Sequence, residues 1–297
     1  MVNGASPPEV PIDEGLVRRL LAAQHPDLAA LSVTRFGNGW DNEIFALGES
    51  MLVRMPRREQ AVPFARHEHE WLTHIAPSLP VAVPAPVRLG EPGEGYPWPW
   101  SVVPRFAGEP AAAAPFGDEA TTAREFAAFL AALHVPAPPD APANPFRGVP
   151  LARAAERFAI RRERLANRLR DEGRDTARLF GMFDEGLHAP VHAGPAVWMH
   201  GDLHPGNVLV HGGRIAAVID WGDMCAGDPA GDLQVAWMLF GPAAREVLLD
   251  NCGADPSIAA RARAWAVHSA FVYLDNDAGD PLMARLGNMT LDCLLGE

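Results

Sequence analysis

The chain has 297 residues, 48% of them hydrophobic, with 37 acidic and 25 basic side chains and a formal net charge of −12. That is material for one large domain or two smaller ones with a packed core, and it excludes wholesale disorder, collagen and coiled coil. The acidic balance argues against nucleic-acid binding through a basic surface, and no apolar run nears the roughly 18 residues of a membrane span. The polar, Pro-rich start lacks the basic and apolar blocks of a secretory signal. Cys225, Cys252 and Cys293 are too few and too dispersed for a disulfide framework or a zinc knuckle, so a reduced, cytoplasmic setting is expected. Every basic residue is Arg, so chemistry usually given to Lys falls to Arg.

A first helix is predicted from Asp13, a good N-cap, through Leu16, Leu20 and Leu21, ending before Pro26. Ser32–Phe36, Glu43–Leu47 and Met51–Met55 read as antiparallel strands separated by Gly-containing turns. Gln60–Ala76 returns to helical spacing, with Phe64, Trp71, Leu72 and Ile75 as the expected buried face and Pro63 in the first turn. Val87–Leu89 and Trp100–Val103 read as two further strands, and Asp118–His134 as an amphipathic helix. Pro136–Pro150 holds six prolines and is irregular. Beyond it the chain reads as helical over Leu151–Arg170, Thr176–His188, Leu233–Phe240, Ala243–Leu249, Pro256–Leu274 and Pro281–Leu294. One exception stands out: Val208–Val210 and Ile215–Ile219 flank His211-Gly212-Gly213-Arg214 as a β-hairpin. The expected fold class is α+β. A β-rich N-terminal lobe spans residues 1–106 and a mainly helical C-terminal lobe spans 107–297, with a connector near 103–110.

The sharpest segment is His200-Gly201-Asp202-Leu203-His204-Pro205-Gly206-Asn207, followed by Ile219-Asp220-Trp221-Gly222. Asp202 and Asn207 lie in a loop held out of regular structure by Gly and Pro, and the hairpin returns the chain so that Asp220 follows near Asn207. An amide oxygen and a carboxylate make a hard, oxygen-only site suited to Mg²⁺. A second carboxylate that stays off the metal can take a proton from a hydroxyl. An alternative reads His200, Asp202 and His204 as Zn²⁺ ligands, but it leaves the hairpin and Asp220 unexplained. His200 is expected to brace the loop backbone and His204 to pack within it.

The Asp-to-Asn spacing resembles the protein-kinase catalytic loop H-R-D-x-x-x-x-N, and Asp220-Trp221-Gly222 stands where kinases carry D-F-G. Gly201 replaces the Arg of the kinase motif, and no Ala-Pro-Glu follows. Taken together, His200–Asn207 and Ile219-Asp220-Trp221 resemble the aminoglycoside phosphotransferase family, the kinase-like small-molecule kinases that include macrolide phosphotransferases. The resemblance covers most of the chain. It implies a protein-kinase-like two-lobed fold, an antiparallel N-lobe sheet carrying one long helix, and a helical C-lobe with an inserted hairpin. It also implies Asp202 as catalytic base and Asn207 and Asp220 as Mg²⁺ ligands.

The same resemblance assigns a nucleotide end. Arg54, in Leu52-Val53-Arg54-Met55, stands at the strand position where kinases place a phosphate-binding Lys. Its expected carboxylate partner is Glu68, with Glu70 as the fallback. Gly39, in Phe36-Gly37-Asn38-Gly39-Trp40-Asp41-Asn42, falls where a phosphate-covering loop belongs, although the third Gly of G-x-G-x-x-G is missing. Backbone groups of the connector at Val103 and Arg105 are expected to read the purine, with Trp100 or Phe106 packing near it; Pro104 offers no N–H. ATP and GTP both remain open.

Asp275, Asp277, Asp280, Asp292 and Glu297 face a single Arg285 near the C-terminus, a pattern that would favour a cationic acceptor. Asp228 and Asp232 read as structural, with Asp232 holding the catalytic loop from below. The expected activity is Mg²⁺-dependent transfer of the γ-phosphoryl group of ATP or GTP to a hydroxyl of a small molecule, an aminoglycoside- or macrolide-like antibiotic being the leading acceptor. A metabolic kinase for an amino alcohol or sugar, and a non-catalytic nucleotide-binding protein, are the alternatives. No nucleic-acid or membrane partner is expected.

Overall fold

A computed structural model describes residues 7–278 and 280–296. The chain divides into two compact units. The first comprises the chain up to Pro77, Ala82–Ala107 and the short segment Asp220–Gly222.

In the first unit, Asp13 caps α1 (Glu14–Gln24) by accepting from the Leu16 amide at 2.8 Å, a bond worth ~1 kcal/mol. The strands β1 (Val33–Asn38), β2 (Asn42–Leu47) and β3 (Met51–Pro56) form a meander. With β4 (Arg88–Gly90) and β5 (Trp100–Pro104) they make one antiparallel sheet in the order β1-β2-β3-β5-β4. Leu16, Val17, Leu20 and Leu21 of α1 are buried with Phe45, Leu47, Val53, Met55 and Val102 from the sheet. Each such side chain contributes about 1.5–3 kcal/mol through lost apolar exposure.

The stretch expected as one long helix is interrupted. A 3₁₀ turn (Glu59–Ala61) leads into α2 (Val62–His67), a π turn follows (Glu68–Leu72), and α3 (Thr73–Ile75) continues from it. The i→i+5 bonding of a π turn inserts extra rotation, so the inward face shifts along the sequence. Val62, Glu68 and Leu72 are buried, whereas Phe64, Trp71 and Ile75, expected inside, are only half-buried.

In the second unit, Asp118 caps α4 (Glu119–Leu133). The hairpin β8 (Val208–His211) and β9 (Arg214–Val218) turns at Gly212 and Gly213, whose φ values of 58° and 76° suit a type I′ turn. A two-residue strand, β6 (Glu109–Pro110), extends this sheet, and β7 (Val197–Met199) pairs with β10 (Cys225–Gly227); none of these three was expected from the sequence. The helices are α5 (Ala155–Asp171), α6 (Thr176–His188), α7 (Ala230–Leu233), α8 (Ala236–Leu239), α9 (Pro242–Asn251), α10 (Pro256–Asp275) and α11 (Pro281–Leu295). The single helix expected over Leu233–Phe240 is instead α7 and α8. Between them the amides of Val235, Trp237 and Met238 bond three residues back, to Asp232, Gln234 and Val235, which tightens the turn out of α geometry. The central element is α10, packed on α5, α6 and α11. Phe158 of α5 stacks on Phe183 of α6 at 3.8 Å and meets Phe271 of α10 at 5.2 Å.

Candidate active site

In the first unit β3 lies between β2 and β5, and its Arg54 points out of the ladder to Glu68 in the π turn. Both are buried, and the Arg54 Nη1 donates to Glu68 Oε2. Asp220 Oδ1 lies 3.8 Å from Arg54 Nη2, and its side chain is 62% exposed. Burial disfavours the charge on Arg54, but Glu68 and then Asp220 outweigh it and raise its pKa. Asp220 has φ of 65°, a left-handed conformation uncommon outside Gly, Asn and Asp. The next residue, Trp221, is fully buried. Glu70, the fallback partner for Arg54, is exposed.

Gly39 lies in the β1–β2 turn, its amide donating to Asn42 O at 2.9 Å. Val103 is buried in β5 opposite Leu52. The Arg105 amide donates to Ser50 O, and its guanidinium lies 4.9 Å over the ring of Phe36. Trp100 is a correction to the sequence expectation. It is fully buried among the core residues beneath α1, edge-on to His25, with its indole N–H on Glu91 O, so its ring is not available to a purine. Phe106 is half-buried.

In the second unit the loop His200–Asn207 is fixed from beneath. Asp232, with no exposure, accepts the amides of His200 at 2.8 Å and Gly201 at 3.0 Å, and also meets His134 Nε2 at 3.2 Å. Burial alone would raise the Asp232 pKa; His134 and the loop amides reverse that, and it is lowered. Gly201 has φ of 86°, and a Cβ there would lie 2.3 Å from Asp223 O, so only Gly fits. His200 accepts the Asp202 amide on Nδ1 at 3.2 Å and therefore donates from Nε2 to Ile219 O at 3.0 Å. It braces the loop against the end of the hairpin. His204 Nδ1 accepts the Gly206 amide at 3.0 Å, and its Nε2 lies 3.6 Å from Asp202 Oδ2.

Asn207 Nδ2 donates to Asp202 O at 2.9 Å, leaving Oδ1 outside that bond. The Ile219 amide donates to Asn207 O at 2.9 Å, and Asp220 is the next residue in the chain. Among the described residues no group of three or more His, Cys, Asp or Glu side chains is placed to hold a metal.

The residue that sequence reasoning missed is Arg147. Its Nη2 lies 2.5 Å from Asp202 Oδ1, and its Nε lies 3.6 Å from Asp223 Oδ2. Burial would raise the Asp202 pKa, but Arg147 and then His204 overcome it and hold the carboxyl well below its usual range. The loop bearing Arg147 is itself pinned. Asn144 Oδ1 accepts the amides of Phe146 and Arg147, its Nδ2 donates to Asp223, and Gly148 packs so tightly that a Cβ would lie 2.8 Å from Ala226 O. A long Pro-rich connection inside a compact unit is itself a signal of function.

The C-terminal acidic residues do not form the open carboxylate cluster that the sequence pattern suggested. Asp275 pairs with Arg161 at 3.4 Å and Arg164 at 2.7 Å, Asp277 with Arg168 at 2.6 Å, and Asp292 with Arg174. Asp280 caps α11. Their partners lie on or beside α5, over a hundred positions earlier in the chain. Glu297 lies outside the described residues. Asp228 forms a buried pair with Arg261 at 2.7 Å. That pair, with Leu151, Leu187 and Val191, lines a cavity of about 300 Å³ that contains none of the motif residues.

The model of the phosphotransferase enzyme family matches residues 32–270. The chain belongs to this family. Its fold is that of the family's solved structures. The GDP complex of aminoglycoside 2'-phosphotransferase-IIIa is similar with a TM-score of 0.67 at 18% identity, over 96% of this chain and 99% of that one. Macrolide 2'-phosphotransferase from Brachybacterium faecium gives 0.61 at 21% identity, over 96% and 98%. A streptomycin–ATP ternary complex of another aminoglycoside phosphotransferase gives 0.58 at 18%, over 97% of each chain. No curated protein matches the sequence. The kinase-like α+β fold expected for this phosphotransferase is the one observed, and no helix among its described residues is long and apolar enough to cross a membrane.

Proposed function

We propose that the protein transfers the γ-phosphoryl group of ATP or GTP to a hydroxyl of a small molecule. The observation that carries this reading is the loop of Asp202. Its backbone is held by Asp232 and by Asn207, while its carboxylate is kept ionised by Arg147 and His204. An ionised carboxylate held on a fixed loop is free to accept a proton from a hydroxyl.

Asp202 takes the proton of the acceptor hydroxyl as that oxygen bonds to the γ-phosphorus, and the bond to the β-phosphate oxygen breaks, releasing the nucleoside diphosphate. Arg54, aimed by Glu68, neutralises phosphate charge as a planar, permanently charged donor. The protein's own oxygen donors fit a hard cation: Asn207 has Oδ1 outside its bond to the loop, and Asp220 presents an exposed carboxylate. Asn207 and Asp220 would hold Mg²⁺, which would supply positive charge against the phosphates. Gly39, Val103 and Arg105 would contribute to nucleotide binding.

The solved relatives are named for aminoglycoside and macrolide acceptors, so these antibiotics are the first acceptors to test. A metabolic acceptor is the second reading, favoured because the C-terminal carboxylates are already matched by arginines. The experiment is incubation with Mg²⁺ and ATP or GTP across an acceptor panel, with mass detection of a product heavier by one phosphoryl group. Nucleotide that is neither bound nor turned over by the intact protein would overturn the proposal.

A further inference from the structure

A buried histidine of α10 packs on the α5 face that carries Arg157 and Arg161. His268 of α10 is 7% exposed, and neither ring nitrogen has a hydrogen-bond partner among the described residues. Its ring lies edge-on to Trp265 at 5.3 Å and 6.4 Å from Phe158. The charges that act on it are Arg161 and Arg157 of α5 and Arg147 of the loop before α5, and Arg161 also meets Asp275 of α10 at 3.4 Å. Burial, then these arginines, push the imidazole down to about 3, so at neutral pH it is an uncharged ring with one N–H donor.

The counter-charges are unevenly distributed. Arg147 has Asp202 and Asp223, and Arg161 has Asp275. Arg157 is half-buried, lies 5.1 Å over the ring of Phe146 and has no carboxylate partner among the described residues. A buried N–H donor with no acceptor is costly, and beside guanidinium groups an anion is the partner that would complete it. Arg157 lies over Phe146, whose neighbour Arg147 meets Asp202 at 2.5 Å, and buried Tyr273, further along α10, is edge-on to His204 of the Asp202 loop.

We propose that Arg157, Arg161 and His268 bind an anionic group, a carboxylate or a phosphate, carried by the acceptor whose hydroxyl meets Asp202. This rests on the phosphotransfer reading above and narrows its acceptor. Guanidinium forks match carboxylate and phosphate oxygens, and the imidazole N–H supplies a further donor. A polycationic acceptor would meet guanidinium groups in this position, and the carboxylates that could attract it are taken.

The test is titration calorimetry on the full chain, with Mg²⁺ and a non-hydrolysable ATP or GTP analogue saturating so that the probes do not report the nucleotide site. The carboxylate arm uses D-gluconate, the phosphate arm D-glucose 6-phosphate, and D-glucose and kanamycin are the uncharged and polycationic controls. Saturable binding of at least one anion, and none of glucose, is expected. Arg157→Gln should weaken that binding at least about 10-fold, and Arg157→Lys should restore most of it. Arg157 is only half-buried, and a melting curve matching the parent checks that the variant is folded. Binding of neither anion, binding equal to that of glucose, or binding unchanged in Arg157→Gln would overturn the inference. Nucleotide hydrolysis in water by the unaltered protein is measured alongside. Anion binding without any hydrolysis or transfer would remove the phosphotransfer reading while leaving the anion site in place.

Discussion

Arg147 Nη2 sits 2.5 Å from Oδ1 of Asp202, although 55 positions separate them in the chain. The pair fixes both the charge and the direction of the carboxylate proposed as the base. Asp202→Asn keeps the size of the side chain but cannot accept the hydroxyl proton. Turnover should fall by at least about 10²-fold with nucleotide affinity nearly intact. Single-turnover kinetics with nucleotide-binding titrations would check this, and a normal rate in Asp202→Asn would exclude Asp202 as base.

Arg147→Met should lower kcat about 10-fold with little change in nucleotide KM, because in the proposed mechanism Asp202 meets the acceptor and not the nucleotide. Arg147→Lys should recover only part of the rate, since an ammonium cannot span Asp202 and Asp223 as a planar guanidinium does. Equal rates for Met and Lys at this position would show that charge and fork geometry are irrelevant there.

The Arg54–Glu68 pair is buried, so removing one partner strands the other's charge. Arg54→Ala should lower stability by ~3 kcal/mol and raise the nucleotide KM, with Glu68→Ala milder because Asp220 still faces the guanidinium. The double variant Arg54→Met/Glu68→Leu should regain much of the stability while remaining defective toward nucleotide. Denaturant melts and steady-state kinetics on the same preparations separate the two effects.

Asp232 accepts two loop amides and a histidine with no access to water. Asp232→Ala leaves those donors unmet and should cost roughly 3 kcal/mol. Because the loop is held through this side chain, kcat should drop even at temperatures where the variant is fully folded. Activity measured well below the melting transition would reveal whether the loop, and not only the fold, depends on Asp232.

Stability should also fall on mild acidification because of His268. Its folded pKa is pushed down to about 3, against 6.5 when exposed. Between those values the unfolded chain binds the extra proton, so stability rises with pH and is lost as pH drops below about 6.5, with a limiting slope of ~1.4 kcal/mol per pH unit. His268→Phe should flatten that part of the profile. Denaturant midpoints from pH 7 to pH 4.5 would show it, and an unchanged slope in the variant would assign the acid sensitivity elsewhere.

Features with local causes could be read directly from the chain. Asp13 and Asp118 cap helices because a short carboxylate reaches amides two or three residues ahead, and Gly212-Gly213 turns the hairpin because both positions need positive φ. The spacing from Asp202 to Asn207, with Asp220 after the hairpin, was likewise legible, since it lies within one short stretch of chain. The remainder depended on packing between distant segments. The π turn that buries Glu68 in place of Phe64 and Trp71 depends on the pairing with Arg54 of β3, and Trp100 is drawn into the core beneath α1. Arg147 looked like part of an irregular Pro-rich segment until packing against β10 carried it to Asp202. Asp275, Asp277 and Asp292 looked like an exposed acidic cluster because their arginines come from elements more than a hundred positions away. Hydrophobic period, capping and turn chemistry act over a few residues, whereas the partner of a charge is set by which elements pack together, and no local pattern encodes that.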